Sequence, residues 1–462
     1  MNTITASDTT ARLDVPGFRG VLIEPGDDAY DEARAVYNGS IDRRPRLIAR
    51  CADVADVIAA VDFARERGLT LAVRGGGHHA AGLGVWTDAL VVDLGDMRAV
   101  HVDPDERLVR VQGGALLGDV DHATHPFGLA VPTGILSTTG IAGLTLGGGL
   151  GYLSRQFGLS IDSLVEAEVV LADGSVVTAD NDRHPDLFWA IRGGGGNFGV
   201  VTTFTFRGHP VRDIVGGPML FDLEDTPAVM RAWDDFLAEA PEALTGWFGF
   251  LTVPPVDVFP AELHGRKMAG IVWCHNGPVD EADRLLAPMR ALGPVLDGVG
   301  EMPFPALQSV FDGLYPKGLQ WYWRADFVEE LTDEAIAVHL EHARRLPTMH
   351  SSMHLYPIDG AVHRVGGAAT PFAFRRARYA QVIVGVDPDP GRLDDLRTWT
   401  REYHDALHPF SAGGGYVNML MDDEGDDRVE AAYGENFPRL VEAKRRYDPE
   451  NLWHVNKNIP TS

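Results

Sequence analysis

Residues 71–84 read LAVRGGGHHAAGLG: a short apolar run, Arg74, three glycines, the pair His78 and His79, then small residues. Three consecutive glycines give up side-chain burial and order, so something must lie against bare backbone there. Gly75-x-Gly77-x-x-Ala80 formally matches the dinucleotide fingerprint. That fingerprint requires a helix next, because the pyrophosphate rests on a helix N-terminus. Gly82 and Gly84 break any helix, and a strand at 89–94 arrives too soon. Gly194-x-Gly196-x-x-Gly199 matches as well and runs straight into the strand-like Val200–Phe204, so it fails for the same reason. A third stretch, GIAGLTLGGGLG from Gly140 to Gly151, is too rich in glycine for a stable helix interior. Its interleaved Leu, Ile and Thr suit buried backbone lying against a flat or elongated ligand. One explanation covers all three stretches: an extended cofactor held by backbone N–H groups, which suit a pyrophosphate without added positive charge.

Around these stretches the first third alternates short strands and helices. Leu47–Ala49 reads as a strand, and Asp53 caps a helix that carries Val54, Val57, Ile58 and Val61 on one face and ends at Gly68. Strands follow at 89–94, 99–102 and 108–112, then a helix at 115–127 and a loop through 128–151. Strands at 165–172 and 199–206 flank a short helix at 185–190. Beyond about 210 the pattern changes. Strands at 246–253, 267–274, 320–328, 351–357 and 378–386 alternate with helices at 226–240, 279–291, 332–346 and 391–407, which predicts a sheet with helices on one side. Gln320, Tyr322, Arg324 and Asp326 share one strand face, and Trp321, Trp323, Ala325 and Phe327 the other. Ser352, His354 and Tyr356 oppose Met353 and Leu355. The apolar faces are expected against the helices, and the polar-aromatic faces toward a ligand or water.

The chain of 462 residues is long enough for two or three domains, and 45% hydrophobic against 23% charged residues supplies them with cores. A formal charge of −26 disfavours nucleic-acid and anionic membrane partners. MNTITASDTTARLD lacks the basic and apolar regions of a leader, and no apolar run is long enough to span a bilayer. The only cysteines, Cys51 and Cys274, make a disulfide framework or a cysteine-based zinc site implausible and fit a reducing cytoplasm. The charge and cysteine count leave the oligomeric state open.

Val73-Arg-Gly-Gly-Gly-His78, Gly143-Leu-Thr-Leu-Gly-Gly-Gly-Leu-Gly-Tyr152, Leu187 to Thr202, Gly415-Tyr-Val-Asn418 and Tyr447 to Pro460 stand in this order along nearly the whole chain. Together they resemble the berberine-bridge-enzyme-like FAD-linked oxidases of the vanillyl-alcohol-oxidase superfamily. The resemblance implies an α+β fold with a PCMH-type, two-subdomain FAD-binding domain formed by both chain ends. That domain would take 1–210 (core about 42–210), with 410–462 returning to it. Residues 211–409 would form an α+β substrate domain, an antiparallel sheet backed by helices. FAD contacts are implied along the first loop for Arg74, Gly75, Gly76, Gly77, His78, His79 and Gly82. In the second region they are implied for Pro132, Thr133, Gly134, Thr138, Thr139, Gly140, Gly143, Leu144, Gly147, Gly148, Gly149, Gly151 and Tyr152. Asn197, Gly199, Val200 and Val201 follow in the third, and Tyr416, Asn418 and Asn456 near the end.

In the family the histidine matching His78 is bonded covalently to the flavin, chemistry open to a neutral imidazole. The second, cysteinyl attachment of many members falls on Leu136, so a single covalent link through His78 is expected. His79 is left between lining the cofactor and acting as a solvated spacer. No metal is expected, since adjacent histidines are a poor start to a metal site. The family's glutamate base falls on Arg364, and a tyrosine used by others falls on Met419, so neither base carries over. Tyr322, His354, His363 and Tyr416 are the candidates for proton transfer, each with a purely structural role as the alternative. The expected partners are dioxygen and a small-molecule alcohol or amine, a secondary metabolite or a saccharide. Thr139, close to valine in shape, matches a position where valine accompanies oxidase activity. A dehydrogenase using another acceptor, a non-catalytic flavin-bearing protein and a histidine-based metal hydrolase are the competing readings.

Overall fold

The computed structural model describes residues 13–462; most of the expectation of no leader, on residues 1–14, lies outside the described residues. The short apolar segments Leu47–Arg50, Leu71–Arg74 and Leu90–Asp93 pair as parallel strands, with Leu90–Asp93 in the middle and Val21–Ile23 antiparallel at the edge. Helix Val54–Arg67 crosses between the first two. Asp53 accepts the Asp56 N–H at 3.2 Å at its start, and Gly68 closes it at φ +63°. Leu71–Arg74 then runs into the glycine–histidine loop with no helix after it, as the sequence demanded. A second, five-stranded antiparallel sheet has Val200–Arg207 at its centre, between Leu108–Gln112 and Leu164–Val170.

Two local expectations are corrected here. The segment read wholly as loop contains helix Ile141–Leu146 and a short strand, Leu129–Ala130, that pairs with His209–Pro210. Within IAGLTL only Gly143 is a poor helix former, a cost of about 1 kcal/mol that packing of Ile141 and Thr145 offsets.

The middle of the chain forms an eight-stranded antiparallel sheet. Along it run Leu296–Asp297, Asp213–Asp222, Lys267–His275, Leu244–Thr252, Ser352–Pro357, Tyr379–Asp387 and Gln320–Val328, with Gly300–Pro303 pairing beside Asp213–Asp222. Helices Thr226–Glu239, Val279–Arg290, Asp333–Ala343 and Leu393–Leu407 cover one face, burying Trp273, Phe248, Met353, Leu355 and Ile383 against Trp233 and Tyr403. The other face carries Trp247, Val272, Tyr356, Val382, Val384, Trp321 and Trp323 and packs toward Tyr37, Leu150 and Tyr152 of the N-terminal region. Burial on both faces removes the polar–apolar alternation that ordinarily tells inside from outside.

This corrects the reading of strand Gln320–Val328. Its register pairs Trp323 with Val384 and Tyr322 with Gly385, while His354 pairs with Val382. The tryptophans therefore share a face with His354, and Tyr322, Arg324 and Asp326 point at the helices. Charge explains it: Arg401 and Asp423 meet the Tyr322 hydroxyl, each at 2.7 Å, and Arg324 reaches Asp423 at 2.8 Å. The faces of Ser352–Pro357 are as read.

The C-terminal segment folds back on the N-terminal region. Helices Asp426–Tyr433 and Phe437–Tyr447 bury Tyr433, Leu440 and Ala443 with Phe188, Trp189 and Phe198. Lys444 is fully enclosed, 2.6 Å from Asp448, and also donates to the Asn197 and Trp453 carbonyls. Burying a charge requires such complete pairing.

Candidate active site

Between the glycine loops and the uncovered face of the large sheet lies a cavity of about 740 Å³. One wall is almost pure backbone. A Cβ on Gly76 would lie 2.5 Å from the Gly140 nitrogen, and one on Gly140 would lie 2.4 Å from the Gly76 nitrogen. The first two glycine loops therefore cross at van der Waals contact of main chain on main chain. Gly147, Gly149 and Gly151 are tight as well: their Cβ atoms would meet Asn418, Ser160 and the Thr133 carbonyl at 2.1, 2.1 and 2.0 Å. These glycines serve the protein's own packing. Gly143 and Gly196 differ, since a Cβ on either meets nothing within 4 Å although both line the cavity. Space kept clear of side chains along a cavity wall fits the flat, extended FAD, and the buried Oδ1 of cavity-lining Asn456, which has no partner, fits a ligand donor.

His78 lines this cavity with its ring stacked on Tyr37, centroids 3.6 Å apart and planes at 20°, and its Nε2 3.3 Å from the Thr138 hydroxyl. Burial holds it neutral, its pKa lowered to about 3. Tyr37 and Asn38 extend the arrangement. The Tyr37 hydroxyl donates to the Tyr315 carbonyl at 2.8 Å. Asn38 donates to the Ala80 and Trp321 carbonyls at 2.7 and 3.0 Å and accepts the Trp321 N–H at 3.0 Å. His79 also lines the cavity; it accepts the Ala81 N–H at 3.2 Å and is held neutral near pKa 3 by burial and by Lys457 and Arg43.

The opposite wall consists of side chains: Trp247, Trp321, Trp323, Phe311, Tyr315 and Tyr356, with Ser352 and His354 among them. The His354 Nδ1 and the Tyr356 hydroxyl are 2.6 Å apart. Burial lowers His354 to about 3 and pushes Tyr356 well above the usual phenol value. The pair is therefore neutral, and with Nδ1–H donating to the Tyr356 oxygen the Nε2 lone pair is left for another partner. Val256, Val258, Val310 and Met349, all exposed, rim the opening.

The cavity brings together His78, His79, Gly75, Gly76, Gly77, Gly134, Thr139, Gly140, Gly143, Leu144, Asn197, Gly199, Val200, Val201, Tyr416, Asn418, Asn456 and His354. Arg74 borders it, but its guanidinium is spent on Asp93 at 2.7 Å and on the Ala33 carbonyl. Thr138 lies off the lining, with its hydroxyl at His78 Nε2. Gly82, Pro132, Thr133, Gly147, Gly148, Gly149, Gly151 and Tyr152 lie behind the wall rather than on it. The Tyr416 hydroxyl accepts from the Gly149 N–H at 2.8 Å and from Asn418 at 3.0 Å, and burial raises it to about 12, so it pins the glycine loop as a neutral phenol.

Two candidate bases lie outside the cavity. Tyr322 faces the helices, and His363 is exposed on the turn Gly360–Arg364, 2.9 Å from the Ala377 carbonyl. Arg364 is exposed too and pairs with Glu242. Leu136 and Met419 do line the cavity. The sequence reading missed Tyr37, Asn38 and Lys457. Burial lowers the Lys457 ammonium, which lines the cavity and donates to the Met421 carbonyl. Only the lysine carried a signal, as the cation inside Asn456-Lys-Asn458.

Residues 45–180 match the family of FAD binding domains, and 415–460 match the berberine and berberine-like family. The FAD-linked oxidoreductase YgaK of Bacillus subtilis (strain 168) is 32% identical, over 96% of this chain and 97% of its own. The (R)-6-hydroxynicotine oxidase of Paenarthrobacter nicotinovorans is 29% identical, over 97% and 99%. Among solved structures, 6-hydroxy-D-nicotine oxidase from Arthrobacter nicotinovorans superimposes with a TM-score of 0.87 at 25% identity, covering 98% of this chain and all of that one. Among the described residues no helix is long and apolar enough to cross a membrane, and Cys51 and Cys274 are both free and buried.

Proposed function

The chain belongs to the berberine-bridge-enzyme-like FAD-linked oxidoreductases, and from that premise we propose an oxidase that removes hydride from a C–H bearing an alcohol or amine. Residues 1–210 and 410–462 hold FAD in this reading, and 211–409 receive the substrate. Bound FAD supplies the hydride acceptor and hands the electrons to dioxygen. The observation that carries the proposal is the neutral His354–Tyr356 pair, set across the cavity from the glycine wall and from His78. His354 keeps its Nε2 lone pair at every pH in which the enzyme would work, so it can take the substrate's O–H or N–H proton as the hydride leaves. Tyr356 fixes the ring in this tautomer by accepting the Nδ1–H. The surrounding indole and phenol rings exclude water and suit a flat aromatic or a sugar ring, with the apolar rim as entrance.

His78 is the single covalent tether in this proposal. Its neutral ring is a nucleophile, held by Thr138 and Tyr37, and Leu136 offers no second attachment. Thr139 on the cavity wall favours access of dioxygen. Anaerobic mixing with a panel of aromatic and sugar alcohols and secondary amines, followed by air, tests the reading. Bleaching by at least one compound and rapid return of the yellow colour in air are expected. Bleaching with slow return would make the chain a dehydrogenase.

A further inference from the structure

One cluster of side chains away from the cavity has no part in this chemistry. Helix Leu393–Leu407 carries His404 in its last turn, and His408 follows four residues later in the turn His408–Phe410, so both imidazoles leave the helix end on one side. Asp326 approaches them from the helix-facing side of strand Gln320–Val328, with its side chain fully enclosed. Its Oδ2 lies 2.8 Å from His408 Nδ1 and 3.1 Å from His404 Nε2, and the three atoms all fall within 4.8 Å of one another.

We propose that Asp326, His404 and His408 bind a divalent transition-metal cation, with Zn²⁺ the ion the donors fit best. Two imidazoles and one carboxylate form a donor set of the borderline kind that zinc selects over magnesium or calcium. Around a tetrahedral zinc with ligands at about 2.0–2.2 Å, ligand atoms sit roughly 3.3 Å apart. Lengthening the two Asp326 contacts by a few tenths of an ångström, and drawing together the two imidazole nitrogens that lie within 4.8 Å of one another, gives that spacing. A second observation points the same way. His404 is 9% exposed, and its Nε2, although 3.1 Å from Asp326 Oδ2, is not aligned to donate to it and has no other partner. Hydrogen bonding alone would ask both imidazoles to aim N–H groups at one oxygen, whereas a cation takes a lone pair from each of the three atoms.

The surroundings resemble those of a held ligand set. His404 Nδ1 stands 3.3 Å from the Asp405 carboxylate, the outer-sphere partner that orients a metal-bound imidazole. Arg428 donates to Asp326 Oδ1 at 2.9 Å, which turns Oδ2 toward the histidines, and its own charge is offset by Glu424 at 3.3 Å. The His408 side chain is 45% exposed, giving an ion an entry path and a place for a coordinated water. The expectation of no metal rested on His78 and His79; the His-x-x-x-His spacing at 404–408 is the sequence signal it passed over. A bound ion would clamp the helix end to the strand whose opposite face carries Trp321 and Trp323, with no contact to the flavin side.

The test uses the flavin-loaded full chain, stripped with a chelator at neutral pH and dialysed against excess Zn²⁺, with metal counted by mass spectrometry and unfolding followed thermally. One zinc per chain and a rise in Tm are expected for the wild type. His408→Ala and His404→Gln should each bind zinc at least about tenfold more weakly and lose the Tm rise. Both should keep the flavin absorbance per chain, and His408 is exposed enough for its variant to fold. Absence of stoichiometric zinc in the wild type, or undiminished uptake in His408→Ala, would overturn the proposal.

Discussion

The two walls of the cavity are built on opposite principles. The cofactor wall is main chain, its glycines pressed against one another or left bare toward the void, as at Gly76 with Gly140 and at Gly143. The wall proposed for substrate is mostly side chain, with Gly217, Gly249 and Gly270 the exceptions, presented by a sheet whose backbone tolerates many sequences. A wall of backbone cannot change without changing the fold. A wall of side chains can be rewritten one residue at a time, so a shared cofactor and diverse substrates coexist on one scaffold.

Substitutions on each side sharpen the contrast. His78→Ala is expected to abolish the covalent flavin: intact-protein mass spectrometry should show one FAD adduct on the denatured wild type and none on the variant, and an adduct that persists would refute the tether. Gly143→Val places a branched side chain in the bare strip. Flavin absorbance per chain should fall at least about tenfold while far-UV circular dichroism stays unchanged. Gly76→Ala, aimed at the loop crossing, should instead destabilise the fold by about 1–3 kcal/mol, the range for overpacking, and so lower Tm. Equal effects from both would erase the distinction between packing and cradling glycines.

On the substrate wall, His354→Ala should cost about 10²–10⁴ in kcat/KM with flavin content intact, the range for loss of a general base. Because the His354 pKa in the folded chain is lowered to about 3, kcat/KM should show no imidazole inflection near 6.5. Stability should behave oppositely. His79, His339 and His354 are all held neutral to about 3 when folded but protonate near 6.5 when unfolded. Their contribution is present above 6.5 and lost as pH falls from there toward 3, so Tm should drop on mild acidification. The smallest effect on turnover belongs to Tyr322→Phe. It should leave kcat within about twofold and destabilise by about 1.5–3 kcal/mol through its lost bonds to Asp423 and Arg401. A large fall in kcat would return Tyr322 to the site.

Legibility in the sequence followed the same division. The glycine stretches could be read because only glycine permits such close approach, and their order along the chain exposed the fold. His354 was found because Ser352–Pro357 alternates polar and apolar residues. Tyr322 misled because its strand is buried on both faces, and charges about 80 and 100 residues away, Arg401 and Asp423, decide which side is which. No local pattern contains that information. Tyr37 and Asn38 precede every motif and acquire meaning only when the chain brings Tyr315, Trp321 and Ala80 beside them.

Those two residues bear on how such proteins can be recombined. Tyr37 stacks on the histidine of one wall and Asn38 holds the main chain of the other, so the spacing between walls is written in the N-terminal region, outside the sheet it positions. A cassette cut at 211 and 409 and transplanted from a relative would arrive without its own spacer. Chimeras that carry residues 37 and 38 along with the donor sheet should keep the alignment of the cavity that cassettes lacking them lose.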